Sequence, residues 1–302
     1  MWFIFAVLCA LSWGGADLFY KKGSDSEDKL SHWKIVVMVG LVMGAHAFTY
    51  MAIKGVHFNP FDMVRYLPVS FMYILSMTIG YIGLRYLELS IASPVQNSSG
   101  AITAILLAIF FQQNLNIFDI SGITLVSLGV IGLGILERKQ QVEALRSRQE
   151  NIPKKYQLSV LAITFPLLYA FFDSLGTFFD GIYLDEMKLI SEDAALLAYE
   201  FTFLLTGVVA YIYIKWIKKE DFRILQQKDR GTAAILETTG QFFYVYAMAG
   251  KAIITAPLVA SYSIFSVILS RIFLKEKLSK DQYFVIGLVM LGIVLLGISD
   301  AL

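Results

Sequence analysis

The chain has one cysteine, Cys9, among 302 residues, with only three histidines and six prolines. A lone cysteine excludes an intramolecular disulfide framework and any metal site built on thiolates. Charge is also scarce, with Asp, Glu, Lys and Arg making up 16% of the residues, against about 25% in an ordinary soluble domain. The formal balance is +1, so there is no basic surplus to draw the chain to nucleic acid. Short segments of alternating hydrophobicity, the mark of a membrane β-barrel, are absent. So is a Gly-rich phosphate loop ending in Lys and Ser or Thr, which leaves no ATP site. No cofactor and no metal are expected.

What the chain has in quantity is apolar surface. Hydrophobic residues make up 57% and the mean hydropathy is +0.64. Apolar runs repeatedly approach the ~20 residues that carry a helix across a bilayer. The fold class expected is all-α membrane, with ten spans near 2–20, 34–53, 66–88, 91–111, 119–136, 157–179, 194–216, 231–249, 252–273 and 282–299. The first run has neither a basic leader nor a small-residue cleavage pattern and reads as a retained helix. One long polar stretch, 137–155, separates the halves 1–136 and 156–302 and reads as a solvated linker, with a short charged helix as the alternative. "GVHFNPFD" reads as a loop with Pro60 in a turn.

The halves repeat. Residues 92–134 and 255–297 align without a gap, pairing Pro94 with Pro257, Ser98 with Ser261, Gly129 with Gly292 and Gly134 with Gly297. Five spans per copy require the second copy to enter the membrane inverted. The charges agree, because Lys and Arg collect in cytoplasmic loops. The loops after odd-numbered spans hold 21 of the 25 Lys and Arg, and only Lys54, Arg65, Lys188 and Lys251 fall on the other side. Within the repeat, "FFQQNLNIF" therefore lies outside and "FLKEKLSKD" inside, and both termini are expected outside.

The opening "ALSWGGADLFYKK", the "ASP" entering span 4, the "TAP" entering span 9 and the ending "FLKEKLS…GLVMLGIVLLG" resemble the EamA-like branch of the drug/metabolite transporter superfamily. The resemblance covers nearly the whole chain. It implies a carrier in a cytoplasmic membrane, expected to be bacterial, that alternates access to a central cavity lined by spans 1–4 and 6–9. It also implies that a monomer suffices, since both repeats lie in one chain. It names no substrate.

Candidate site residues are the polar groups placed deep in apolar helices, where ionisable side chains are costly. The deepest acids are Asp173, Glu200 and Glu237, with His46 read as a packed, hydrogen-bonded histidine. Asp17, Arg85, Glu88, Asp180, Lys251 and Arg271 lie nearer span ends, where side chains can snorkel. The stretch from Asp173 through Ser174, Leu175 and Gly176 to Thr177 resembles the first span of the small multidrug-resistance transporters, with Asp at the position of their membrane glutamate. The resemblance implies an acid that takes up either a proton or a cationic substrate. Glu237, Gln241 and Tyr244 share one helix face. Trp13, Asp17, Tyr81, Asn97 and Tyr262 complete the substrate-binding set with Glu200, and Asp173 and Glu237 are the proton-coupling candidates.

Deep acids without deep bases suit a cation, which aromatic faces also attract. The expected function is secondary transport of a small organic cation or amine, possible coupling being to protons. The alternative is a carrier of neutral or zwitterionic metabolites such as amino acids. An intramembrane enzyme is not expected: "NSSGA" lacks the leading Gly of a GxSG nucleophile motif and "GGAD" is not GxGD.

Overall fold

The computed structural model describes residues 1–25, 27–87, 89–147, 164–275 and 278–301. These residues are helices joined by short loops, with no strand among them. In chain order the helices are α1 (Trp2–Gly23), α2 (Ser31–Lys54), α3 (Pro60–Arg65), α4 (Leu67–Gly83), α5 (Leu89–Gln96), α6 (Ser99–Phe110) and α7 (Ile117–Ser147). After the central stretch come α8 (Thr164–Gly181), α9 (Glu192–Ile212), α10 (Lys228–Ala260), α11 (Tyr262–Leu269) and α12 (Lys280–Ala301).

Among the described residues, six stretches are long and apolar enough to cross a membrane: Trp2–Gly23, Ser31–Lys54, Ile117–Leu136, Glu192–Ile217, Lys228–Leu274 and Lys280–Ala301. The fifth has 47 residues, enough for two crossings at ~20 each. It breaks where the sequence suggests. Lys251 leaves helical geometry with φ −162° and ψ 83°, between the expected spans 231–249 and 252–273. The Asp185 carboxylate then accepts the Ala252 N–H at 2.7 Å, satisfying one of the amides that a restarted helix leaves open. The outer surface carries large apolar side chains such as Phe48, Leu128 and Phe273. Asp17, Asp180, Glu200, Glu237 and Gln241 are buried instead. An apolar exterior over a polar interior is the arrangement a bilayer demands.

Local chemistry sets the helix ends. Ser191 Oγ accepts the Ala194 N–H to start α9, with Glu192 and Asp193 in the positive first turn. Pro60 does not sit in a turn as expected. It opens α3, with the Asn59 side chain accepting the Phe61 N–H at 3.0 Å, because proline's fixed φ suits a first helical position. α7 also runs past the expected span end at 136 to Ser147. The residues there, "ERKQQVEALRS", are almost all good helix formers, so this part of the supposed linker is helix. The rest of the linker, the start of the second half to 163, and Glu88 lie outside the described residues.

The helices pack in pairs: α1 on α10, α2 on α9, α4 on α8, α7 on α12, and α5 on α11. Glycines permit the closest crossings. A Cβ on Gly40 of α2 would lie 2.4 Å from the Phe203 carbonyl oxygen and 2.9 Å from Gly207 Cα on α9. Small residues at such crossings let backbones touch in membranes. At one end of the bundle, the loop between α1 and α2 is tied to α10. Arg230 donates to the Gly23 carbonyl at 2.9 Å and to Ser31 Oγ at 3.1 Å. Lys34 bridges Asp28 at 2.9 Å and Glu220 at 3.1 Å. Partial burial alone would push Asp28 up, but Lys34, the Leu30 N–H and Arg230 outweigh it and hold the carboxyl below the usual range. The loop around Asp28 and Ser31 is thus a structural knot.

Candidate functional site: an acid-and-tyrosine cavity

Eight of the described helices contribute to the wall of a central cavity. α1 presents Trp13, Asp17 and Tyr20; α4 presents Tyr73, Met77 and Tyr81; α8 presents Tyr169, Asp173 and Thr177; and α10 presents Glu237, Gln241 and Tyr244. Each set is spaced by three or four residues and so falls on one helix face. Gln96 and Asn97 enter where α5 gives way to α6, and Tyr262 where α10 gives way to α11. The two interruptions match. Ser98 Oγ donates to the Val95 carbonyl at 2.7 Å, and Ser261 Oγ to the Leu258 carbonyl at 2.5 Å. Both donors and both acceptors are related by the 163-residue shift of the sequence repeat. Irregular backbone at membrane depth is tolerated where it lines a cavity.

The cavity has about 60 Å³ of room for the centres of water-sized spheres. One such sphere needs roughly 10–15 Å³ on that measure, so a handful of waters or one small solute fits. The aromatic side is dense. Trp13 lies 5.1 Å from Tyr244 and 5.7 Å from Tyr262 between ring centroids, and Tyr20 lies 4.8 Å from Tyr81. Gly240 admits the indole, because a Cβ there would lie 2.3 Å from Trp13 Cδ1. Trp13 Nε1 donates to the Glu237 backbone carbonyl at 3.1 Å. Tyr73 joins the Tyr244 hydroxyl at 2.6 Å and Thr177 at 2.9 Å.

The three cavity acids differ in their partners. Asp17 Oδ2 accepts from Ser93 at 2.6 Å and from Ser266 at 2.7 Å. Asp173 Oδ2 accepts from Ser99 at 2.6 Å. The Glu237 carboxylate has no hydrogen-bond partner among the described residues although the residue is buried. Gln96 Nε2 and Gln241 Nε2 are buried donors without an acceptor, and the Tyr20 and Tyr81 hydroxyls are likewise unpartnered. The cavity thus offers one free acid, two occupied acids and several unused hydrogen-bonding groups. Among the described residues no three His, Cys, Asp or Glu stand where they could hold a metal.

Nine of the ten sequence candidates meet here: Trp13, Asp17, Tyr81, Asn97, Asp173, Glu237, Gln241, Tyr244 and Tyr262. Glu200 does not. Its neighbour Tyr199 lines the cavity, while Glu200 points into the seam with α2 and bonds His46 Nδ1 at 2.7 Å. Consecutive helical residues point about 100° apart, enough to turn one in and the other away. Asp17 and Asp180 do not snorkel either, because serines and Tyr66 supply hydrogen bonds in place of water. Tyr73, Tyr169 and Ser99 were not singled out, and Thr177 only as the end of the Asp173 motif. A signal existed for Tyr169, which stands four residues before Asp173 as Trp13 stands four before Asp17. Ser99 meets its acid only through the packing of α6 on α8.

Comparison with known proteins agrees with this architecture. A solved crystal structure superposes over 97% of this chain and 94% of its own, with a TM-score of 0.67 and 11% identity, which is a likeness of fold. An uncharacterized protein of Methanocaldococcus jannaschii is 34% identical over 145 residues, covering 46% of this chain and 98% of that protein. The EamA-like transporter family matches residues 1–135 and 160–298. The chain therefore belongs to the EamA-like transporter family and is a membrane transporter.

Proposed function

We propose that the chain is a secondary transporter for a small organic cation or amine, built as ten spans in two inverted five-helix repeats and working by alternating access to the cavity. The observation that carries the substrate class is Glu237: a buried carboxylate with no hydrogen-bond partner among the described residues, set among aromatic rings. A buried charge without a partner is costly. An ammonium or guanidinium group supplies the missing partner and gains from the aromatic rings that line the same cavity, Trp13, Tyr20 and Tyr81 among them. The limited free space favours a small solute over a bulky drug. Asp173 and Glu237 exchange substrate for protons, since a carboxyl in an apolar surround accepts a proton in place of a cation.

Three features support the repeat. The helix pairs interchange consistently when each helix of one half is swapped for its equivalent. The serine-to-carbonyl bonds at the two interruptions correspond. A relative exists whose full length matches less than half of this chain. Alternating access follows naturally from two such halves rocking about a shared site.

A second reading has its own observation. The Gln96 and Gln241 amides offer unused donors in the same cavity, which suit the carboxylate of a zwitterion such as an amino acid. Thermal stabilisation of the purified protein at pH 6 and pH 8 separates the two. The panel holds simple and quaternary amines, guanidinium compounds, polyamines, amino acids and nucleosides. Stabilisation by amines, stronger at pH 8 and lost in Asp173→Asn or Glu237→Gln, is the expected result. Stabilisation by zwitterions alone, indifferent to both substitutions, overturns the cation reading.

A further inference from the structure

The seam between α2 and α9 holds a second ionisable group that the cavity does not use. His46 and Glu200 face each other there, with Nδ1 2.7 Å from Oε1. The glutamate side chain is 0% exposed and the histidine 33%. The second glutamate oxygen, Oε2, is buried without a partner. Around the pair stand the rings of Tyr50 at 5.9 Å and Phe242 at 6.1 Å. One turn from His46, the Tyr50 hydroxyl bonds Asp193 Oδ1 at 2.8 Å, and Tyr246 of α10 bonds the same oxygen at 2.7 Å. Asp193 is half-buried at the start of α9, two turns from Glu200 on the same helix.

We propose that the His46–Glu200 pair is a proton-binding site separate from the substrate cavity. The argument is one of charge in an apolar seam. With one proton the pair is neutral overall, whether that proton sits on Nδ1 or on the carboxyl. Removing it leaves a carboxylate with only a neutral imidazole, and adding another creates an unbalanced cation. Membrane-embedded ionisable residues of this kind mark proton sites when no fixed charge neutralises them. The titratable group against the pair is Tyr50 on α2, whose hydroxyl joins Asp193 of α9 and Tyr246 of α10. No Lys or Arg bonds Glu200 among the described residues. A structural ion pair has no need of the free Oε2 valence, whereas a group that accepts a proton does. The site lies on the same α2–α9 seam as the Gly40–Gly207 crossing, about two helical turns from it.

The test needs no substrate, so its outcome is independent of whether the transport reading holds. With only three histidines in the chain, ¹⁵N-imidazole labelling gives two ring-nitrogen signals from each of three residues, and the His46 pair is assigned by its loss in His46→Gln. The protein is titrated in lipid nanodiscs from pH 5 to pH 9. The expected result is that Glu200→Gln moves the His46 midpoint by more than one pH unit while Glu237→Gln leaves it in place. Infrared spectra over the same range are expected to lose one titrating carboxyl band in Glu200→Gln. If Glu200→Gln does not fold, Glu200→Asp, which draws the acid back by one methylene, serves the same comparison. A His46 midpoint common to the wild type and the Glu200 variant overturns the proposal. So does a wild-type His46 that does not titrate in this range.

Discussion

Substituting Lys251 with Met removes one half of an ion pair at the break in α10. Lys251 Nζ lies 2.8 Å from Asp119 Oδ2, with side-chain exposures of 33% and 0%. Asp119 keeps Ser299 Oγ at 2.5 Å and the Asn116 N–H at 3.1 Å. Breaking a buried pair on one side costs about 3–5 kcal/mol. The two remaining donors and the partly exposed lysine place this case at the low end, about 3 kcal/mol. Asp119→Asn leaves Lys251 able to reach solvent and costs about 1 kcal/mol, the scale of one hydrogen bond. The double variant removes both charges and recovers most of the loss, since replacing a buried pair by neutral groups is often nearly neutral. Equilibrium unfolding in detergent micelles, run as a double-mutant cycle, therefore returns a coupling of roughly 2–3 kcal/mol. A coupling below about 0.5 kcal/mol refutes the reasoning, because distant independent sites already scatter that much.

Other consequences concern packing, backbone and pH. Gly40→Ala forces a methyl against the Phe203 carbonyl oxygen at 2.4 Å and is expected to cost about 1–3 kcal/mol. Gly132→Ala, with nothing within 4 Å of its added carbon, is expected to stabilise α7 by up to about 1 kcal/mol; thermal unfolding ranks the two. Lys219 is exposed and holds φ 57°, so Lys219→Gly is expected to relieve about 1 kcal/mol of left-handed strain, read as a raised melting temperature. Asp28 is held below the usual carboxylate range by Lys34 and Arg230 against the opposing effect of burial. Its contribution is present above its unfolded value, about 3.9, and is lost as pH falls through the lower folded value. Acid unfolding curves of the wild type and Asp28→Asn should therefore differ above about pH 4 and converge below it.

Much of the site was legible because helical period and membrane cost act together. Glu237, Gln241 and Tyr244 stand four and three apart, and no apolar helix carries such a face without a polar interior to receive it. Glu200 was misplaced for a complementary reason. α9 is apolar nearly all round, so the sequence holds no phase to say whether Tyr199 or Glu200 faces inward, and the Gly40–Gly207 crossing decides it. Ser93, Ser99 and Ser266 gain meaning only when distant helices bring them to Asp17 and Asp173. Pro60 and "ERKQQVEALRS" were misread because proline and charge suggest loops, although both also suit the first turn or exposed length of a helix.

The role of Glu237 is tested most directly by uptake of a small radiolabelled amine into proteoliposomes. The amine is one that stabilises the purified protein, and Glu237→Gln is compared with the wild type at equal incorporation. A charge-assisted contact is worth about 1.5–3 kcal/mol, so saturable wild-type uptake at low substrate concentration is expected to fall at least tenfold in the variant, with the melting temperature of the ligand-free protein unchanged or raised. Equal uptake by both proteins contradicts the account, because the one unpartnered acid of the cavity then has no part in holding the cargo.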